Sequence, residues 1–440
     1  MSFPRYPKYK DSGVGWLGEV PEHWNVSALK RIVAEPITDG PHETPQFVDE
    51  GVPFVSAEAV SSGRIDFSKV RACISKEDNA RYSLKYSPKL HDIYMVKSGA
   101  TTGVTAIVEN RTDFNIWSPL AAIRCGKEAI PRYVLNFMRS KNFLEAVTLN
   151  WSFGTQQNIG MGVIGNLYCT LPPREEQTHI AAFLDRETAK IDGLVGKQRQ
   201  LMELLKEKRQ AVISHAVTKG LNPMAPMKPS GSEWLGDVPE HWEVRRIANV
   251  FREVADAGTD ALPILSVSIH HGVSDKEIDE EEMDRKVTRS DDRSKYKQVA
   301  PGDLVYNMMR AWQGGFGTVT VAGMVSPAYV VARPKLELET EYIEHLLRTP
   351  QAIEQMRRHS RGVTDFRLRL YWDEFKNLRI ALPPKSEAIA ICAKIAEMEG
   401  RFSAMTGACE ESIDLLQERR AALISAVVTG QIDVRGLAAV

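Results

Sequence analysis

Three motifs in this 440-residue chain have residue types and spacings that do chemistry elsewhere, and each is undercut by its context. Gly160-Met161-Gly162-Val163-Ile164-Gly165 fits G-x-G-x-x-G, in which glycines bring a helix N-terminus against a pyrophosphate just after a strand. Here the run leads into Asn166 to Pro172, which reads as a strand, and the corresponding stretch of the second half, Tyr371 to Lys376, has no glycine. Nucleotide binding is therefore not expected. His270-His271 lacks the E-x-x-H partner of a zinc site, so surface histidine is the expectation and no metal ligand is assigned. His23 and His241 each stand between a proline and a tryptophan, and no serine or cysteine recurs beside them as a nucleophile, so a packed turn histidine is expected rather than a base. A DNA methyltransferase or nuclease with its own active site is the competing class. Leu171-Pro172-Pro173 and Leu382-Pro383-Pro384 lack the amide or acid that a methyltransferase carries before Pro-Pro. No catalytic residue is assigned.

The remaining chemistry is hydrogen bonding. Gly154-Thr155-Gln156-Gln157-Asn158 groups side chains that pair bidentately with adenine or meet a thymine methyl. Arg361-Gly362-Val363-Thr364-Asp365-Phe366-Arg367-Leu368-Arg369 groups guanidinium ions that pair with guanine or hold phosphate, preceded by Arg357 and Arg358. A second candidate loop occurs in each half. Lys97, Ser98, Thr101 and Thr102 belong to the first, and Arg310 and Gln313 to the second, with glycines that allow close approach to a backbone. The bland alternative for each of these residues is a solvated loop.

The elements that must position these residues are duplicated. Trp16-Leu17-Gly18-Glu19-Val20-Pro21-Glu22-His23-Trp24 returns as Trp234-Leu235-Gly236-Asp237-Val238-Pro239-Glu240-His241-Trp242, an offset of 218. The Leu-Pro-Pro returns at an offset of 211, as does Lys208-Arg209-Gln210-Ala211-Val212-Ile213-Ser214 in the form Arg419-Arg420-Ala421-Ala422-Leu423-Ile424-Ser425. In each half, short apolar runs broken by turn residues predict strands: 52–55, 92–96 and 104–108, then 262–267, 303–306 and 318–321. Helices are expected over 132–149 and 341–358. A long helix should follow each Pro-Pro, since proline suits a first turn and acids suit its positive end. Leu184, Ile191, Leu194, Leu201, Leu205 and Val212 form a 3–4 seam on the first. Ile395, Phe402, Met405, Leu416 and Leu423 form its match on the second, so the two helices are expected to pair as a coiled coil. The alternative is that each seam packs on its own domain. Gly196 and Gly407 interrupt the helices at equivalent places, either as tolerated glycines or as sites of close approach or bending. Domains are expected at 1–173, 174–220 (central helix), 221–384 and 385–440 (terminal helix).

Composition adds limits. Cys73, Cys125, Cys169, Cys392 and Cys409 are odd in number and never spaced C-x-x-C, which fits the cytosol and opposes a zinc or disulfide framework. No apolar run is long enough to span a membrane. The formal net charge of −1 mildly opposes nucleic-acid binding, but charge is uneven: 275–284 is strongly acidic, whereas the arginines of 357–369 crowd together.

Taken together, the W-L-G-[ED]-V-P-E-H-W opener, Ser118-Pro119-Leu120 with Ser326-Pro327-Ala328, and Leu-Pro-Pro leading into a long helix resemble the specificity (S, HsdS) subunit of type I restriction–modification systems. Glu175-Glu176-Gln177 fits the family's E-Q, and Ser386-Glu387-Ala388 departs from it. The resemblance implies an α/β (α+β type) protein. Two similar mixed target recognition domains would be separated by two long helices in an antiparallel coiled coil with pseudo-two-fold symmetry. Each domain would read one half of an asymmetric bipartite site in double-stranded DNA. The helices would set the spacer and dock two methyltransferase subunits, and motor–nuclease subunits would join for restriction. The chain would be non-catalytic and cytoplasmic, with S-adenosylmethionine, ATP and magnesium used by its partners. A duplicated protein-interaction scaffold that never touches DNA is a further alternative.

Overall fold

The computed structural model describes residues 3–151, 157–259, 261–269, 272–277, 292–362 and 368–437. The chain divides into two compact units, one of Met1–Gln198 with Glu410–Val440 and the other of Arg199–Cys409. Each unit holds one mixed domain, the first part or the last part of a 46-residue helix, Arg174–Lys219, and a part of a 44-residue helix, Lys385–Val428.

Both mixed domains are built on a four-stranded antiparallel sheet with the same strand order. In the first unit it runs Thr38–Asp39, Leu120–Ile123, Ile93–Val96, Thr105–Ile107. In the second it runs Phe251–Val254, Tyr329–Pro334, Leu304–Asn307, Phe316–Thr318. The continuous apolar run Ile93–Val96 is buried on both faces, as period-2 alternation requires. Ile93 and Met95 enter the main core with Tyr133 and Leu184, while Tyr94 and Val96 enter a second cluster with Val55 and Phe114. Each inner strand is fixed at its start by a buried carboxylate. Asp92 meets Arg124, just past the end of the neighbouring strand, at 2.7 Å, and Asp303 meets Arg333 on the neighbouring strand at 2.9 Å.

Each repeated opener grips the start of a long helix. His23 Nε2 lies 2.9 Å from Glu176 Oε2, and Trp24 Nε1 donates to Glu176 Oε1 at 3.1 Å. His241 and Trp242 make the same pair of contacts to Glu387 at 2.7 and 3.1 Å. The two histidines thus hold the helix starts, but both are exposed, whereas their turn context predicts packed side chains. In the first unit Tyr6 Oη adds a third donor to Glu176 at 2.5 Å, and burial followed by this carboxylate pushes the Tyr6 hydroxyl well above its ordinary range.

Several local expectations change. Residues 262–267 form only a bridge at Ile264 and the start of the strand Val267–Ser268, because Pro263 has no N–H to donate. The strand expected at 318–321 instead ends at Thr318. The helix expected over 132–149 is two helices, Pro131–Met138 and Lys141–Leu149, because Ser140 leaves the helix and caps the N–H of Phe143. Thr349 and Pro350 divide 341–358 in the same way. The glycine-rich run 160–165 lies largely on a short helix, Met161–Asn166, ahead of the strand Tyr168–Leu171.

The two long helices pack together and run antiparallel. In the first unit Ile180 and Leu184 share a core with Ile424 and Val427, and Asp192 pairs with Arg420 at 2.9 Å. In the second, Ile213 and Val217 share a core with Ile391 and Ile395, and Arg209 pairs with Glu399 at 2.5 Å. The seam differs from the expected one. Leu184, Ile191 and Ile395 are buried, and Leu205, Val212, Phe402, Leu416 and Leu423 are half-buried, but Leu194, Leu201 and Met405 are exposed. The inward positions also include buried Thr188 and Val195 and half-buried Gln198 and Met202 on the first helix, and half-buried Thr406 and buried Cys409 on the second. Strict 3–4 spacing keeps these small or polar residues inward, whereas following leucines alone leaves the stripe. Both helices run unbroken through Gly196 and Gly407, where an added Cβ would meet nothing within 4 Å, so neither marks a close approach.

Tyr342 Oη ties its domain to the end of the Arg174–Lys219 helix. It lies 2.8 Å from the Val217 carbonyl and 3.1 Å from that of Ala381, fully buried. Tyr342→Phe should cost about 1–2 kcal/mol in urea unfolding, since it leaves buried acceptors unsatisfied without changing shape. An unchanged midpoint would show that this tie contributes nothing.

Candidate nucleic-acid interface

In each unit the described parts of the two candidate loops are joined by the same bond. The Ile159 N–H donates to the Lys97 carbonyl at 2.9 Å, and the Leu370 N–H donates to the Met308 carbonyl at 2.9 Å. Both donor and acceptor are displaced by 211 positions between the units. The loop after the inner strand turns back through a glycine in the left-handed region in both cases, Gly103 at φ 95° and Gly314 at φ 86°. The first loop is further tied by the Gly99 N–H on the Gln157 carbonyl at 3.0 Å and by a bridge between Ser98 and Asn158. By the same register Asn158 corresponds to Arg369, which is bridged to Arg361.

The first unit surrounds these joined loops with hydroxyls and carboxamides. Gln157 and Asn158 are exposed, and Ser98, Thr101 and Thr102 are half-buried, with Thr102 Oγ1 donating to the Gly99 carbonyl at 2.7 Å. Lys97 is not a free cation. Its ammonium lies 3.1 Å from the buried Asp39 carboxylate, which also holds Lys85 at 2.5 Å and His42 at 2.9 Å. Burial pushes the Asp39 carboxyl up, but the hydrogen bonds and charges of Lys85 and Lys97 outweigh it and hold it below the usual carboxylate range. One carboxylate thus collects two ammonium groups and an imidazole beside the loop.

The second unit presents guanidinium groups. Arg357 and Arg358 are exposed on the helix Pro350–His359, and Arg357 lies over the Trp312 ring at 6.0 Å. Arg358 pairs with Glu354 at 3.2 Å, and Arg361 pairs with Glu374. Gln313 is exposed and Arg310 and Arg369 are half-buried on the joined loops. Thr155, Gln156, Thr364 and Arg367 lie outside the described residues.

Residues 21–203 match the family model of the type I restriction modification DNA specificity domain. A putative type I restriction enzyme MjaX specificity subunit of Methanocaldococcus jannaschii is 30% identical over 240 residues, covering 53% of this chain and 54% of that protein. The MjaVIII specificity subunit of the same organism is 22% identical over 400 residues, covering 84% and 90%. The crystal structure of the HsdS subunit from Thermoanaerobacter tengcongensis superposes with a TM-score of 0.51 at 17% identity, covering 94% of this chain and 98% of that one. Residues 21–203 are thus similar to the type I restriction–modification specificity domain. The match to the MjaX protein spans about half of that relative's own length.

The residues that sequence reasoning missed are Asp39, His42, Lys85 and Trp312. Asp39 gives no signal by spacing, because its partners are drawn in across the sheet from 46 and 58 positions along the chain (Lys85 and Lys97). Trp312 stands in a loop singled out for its glycines, and only the fold brings Arg357 to it. Among the described residues no cluster of three or more histidine, cysteine or acidic side chains is spaced to hold a metal ion. Nor, among the described residues, is any helix long and apolar enough to cross a membrane.

Asp39→Asn tests the charged cluster. Because the folded carboxyl sits below its ordinary value of 3.8, its contribution is fully present above that pH and is lost as pH falls through the folded value. The variant should be less stable than the parent by about 1–3 kcal/mol at pH 7, the range for hydrogen bonds to charged groups. The gap measured by urea unfolding should close below pH 3.8. A gap that stays constant through the acid range would remove Asp39 from the role of charged anchor.

Proposed function

We propose that this chain is the DNA sequence-recognition subunit of a type I restriction–modification complex, non-catalytic by itself, in which each unit reads one half of an asymmetric bipartite duplex site. The observation that carries the reading is the pair of equivalent backbone bonds, Ile159 to Lys97 and Leu370 to Met308, beneath loops whose side chains differ. The same scaffold offers Asn158 in one unit and Arg369 in the other. Asparagine pairs bidentately with adenine and arginine with guanine, so one frame supports two different readings. Phosphate contacts suit the arginines on the surface helix, Arg357 and Arg358, whose position at the edge of the loops favours register over sequence.

The long helices are proposed to set the spacer between half-sites and to dock two methyltransferase subunits, with motor–nuclease subunits joining for restriction in the cytoplasm. S-adenosylmethionine, ATP and magnesium would be held by those partners and no cofactor by this chain. Partner subunits that help clamp the duplex would offset its nearly neutral charge.

Selection of bound duplexes from a random pool, with the methyltransferase subunits present, tests the split between readers. Arg369→Ala should weaken binding by about 1–3 kcal/mol and relax preference in one half-site only. Altered preference in the half-site governed by the first unit would contradict independent readers. Loss that is uniform across sequences, with a salt slope flatter by about one, would make Arg369 a phosphate contact instead.

A heptad inserted near Leu201 keeps the 3–4 spacing in phase and lengthens the helix by about 10 Å at 1.5 Å per residue. The selected spacer should lengthen while both half-sites are retained. Unchanged spacing in a folded variant would show that the helix does not measure it.

A further inference from the structure

The two openers hold their helices alike, but the residue after the gripped glutamate differs. In the first unit that residue is Gln177, fully buried. Its carboxamide is saturated by backbone. Oε1 accepts from the Ile130 N–H at 2.8 Å, and Nε2 donates to the Glu128 and Pro172 carbonyls, both at 2.9 Å. The equivalent of Gln177 in the second unit is Ala388, displaced by 211 positions. Glu339 stands where Ile130 stands, each immediately before the domain's corresponding helix, Thr340–Leu347 or Pro131–Met138. Glu337 and Pro383 correspond likewise to Glu128 and Pro172.

At this place in the second unit lies an open cavity of about 350 Å³ whose lining includes Glu337, Glu339, Pro383 and Ala388, with His241 and Lys385 also on its wall. Among the described residues, no hydrogen bond reaches the Glu339 N–H or the Glu337 and Pro383 carbonyls. One donor and two acceptors on residues lining this cavity therefore lack a protein partner among the described residues, at the positions whose equivalents hold a carboxamide in the other half of the same molecule. A carboxylate has no N–H for the two carbonyls, and an ammonium has no acceptor for the N–H. We propose that this cavity is a binding site for a primary carboxamide, either a small amide or the asparagine or glutamine side chain of a bound protein.

The probe is propionamide, the side chain of glutamine cut at Cβ, with propionate as the control. Saturation-transfer NMR on the full chain should show transfer to propionamide and little to propionate. Ala388→Gln restores the internal occupant, so it should abolish transfer and raise Tm by about 2–4 °C. Ala388→Met fills the space without an amide and should abolish transfer with a smaller rise in Tm. Transfer that is equal for the two probes, or that persists in both variants, would overturn the proposal. The source of the amide is separated by measuring the affinity of Ala388→Gln for methyltransferase subunits. A loss of tenfold or more identifies a side chain of that partner, and unchanged affinity together with amide binding identifies a small molecule. The NMR arm does not depend on the chain's role in DNA recognition, so its failure leaves that reading intact.

Discussion

The architecture depends on one carboxylate at the start of each long helix, buried at Glu176 and half-buried at Glu387. Glu176 and Glu387 each take an imidazole and an indole N–H from a turn that lies more than 140 residues away in sequence. A carboxylate in a helix's first turn is favoured by the unpaired N–H groups there, and burial makes its donors costly to remove. The contact fixes the direction in which each helix leaves its domain. It also explains why the opener is the best-preserved repeat in the chain: tryptophan, histidine and the proline turn that presents them are all needed to reach a single side chain. The first copy is more fully enclosed, with Tyr6 adding its hydroxyl, whereas among the described residues no third donor reaches Glu387, which remains partly open.

That contact also sets how much could be read in advance. The duplication, the long helices and their pairing, and the structural role of the two histidines were legible because each rests on short-range pattern or on a motif repeated in order. Register within the helix seam was not, because Thr188 and Gln198 occupy inward positions that hydrophobicity does not mark. The Leu262–Val267 run has the composition of a strand, but Pro263 denies it a ladder. At the candidate interface the loop positions could be named from residue type and glycine content. Their joining could not, since it rests on two backbone bonds spanning 62 positions each, from Lys97 to Ile159 and from Met308 to Leu370. The charge cluster on Asp39 was hidden for the same reason.

The near-zero net charge hides local order. In the first unit the cations beside the loop, Lys85 and Lys97, are both paired to the buried Asp39 carboxylate, and the loops carry hydroxyls and carboxamides. In the second, Glu354 and Glu374 hold Arg358 and Arg361 from the side, which fixes the guanidinium groups without burying them. The two faces therefore differ in electrostatic character as well as in hydrogen-bonding pattern, on sheets with the same strand order.

The first unit is assembled from both ends of the chain. Thr170 and Tyr133 reach the Val428 carbonyl, the Asp433 N–H reaches the Pro4 carbonyl, and Val434 lies in the same core as Trp24. The second unit is one continuous stretch, Arg199–Cys409. During synthesis the second unit has all of its residues while the first still lacks its closing segment. The domain that is made first must therefore wait longest to be completed, and ribosomes that stop some thirty residues early would release chains in which the later-made domain is whole and the earlier one is open.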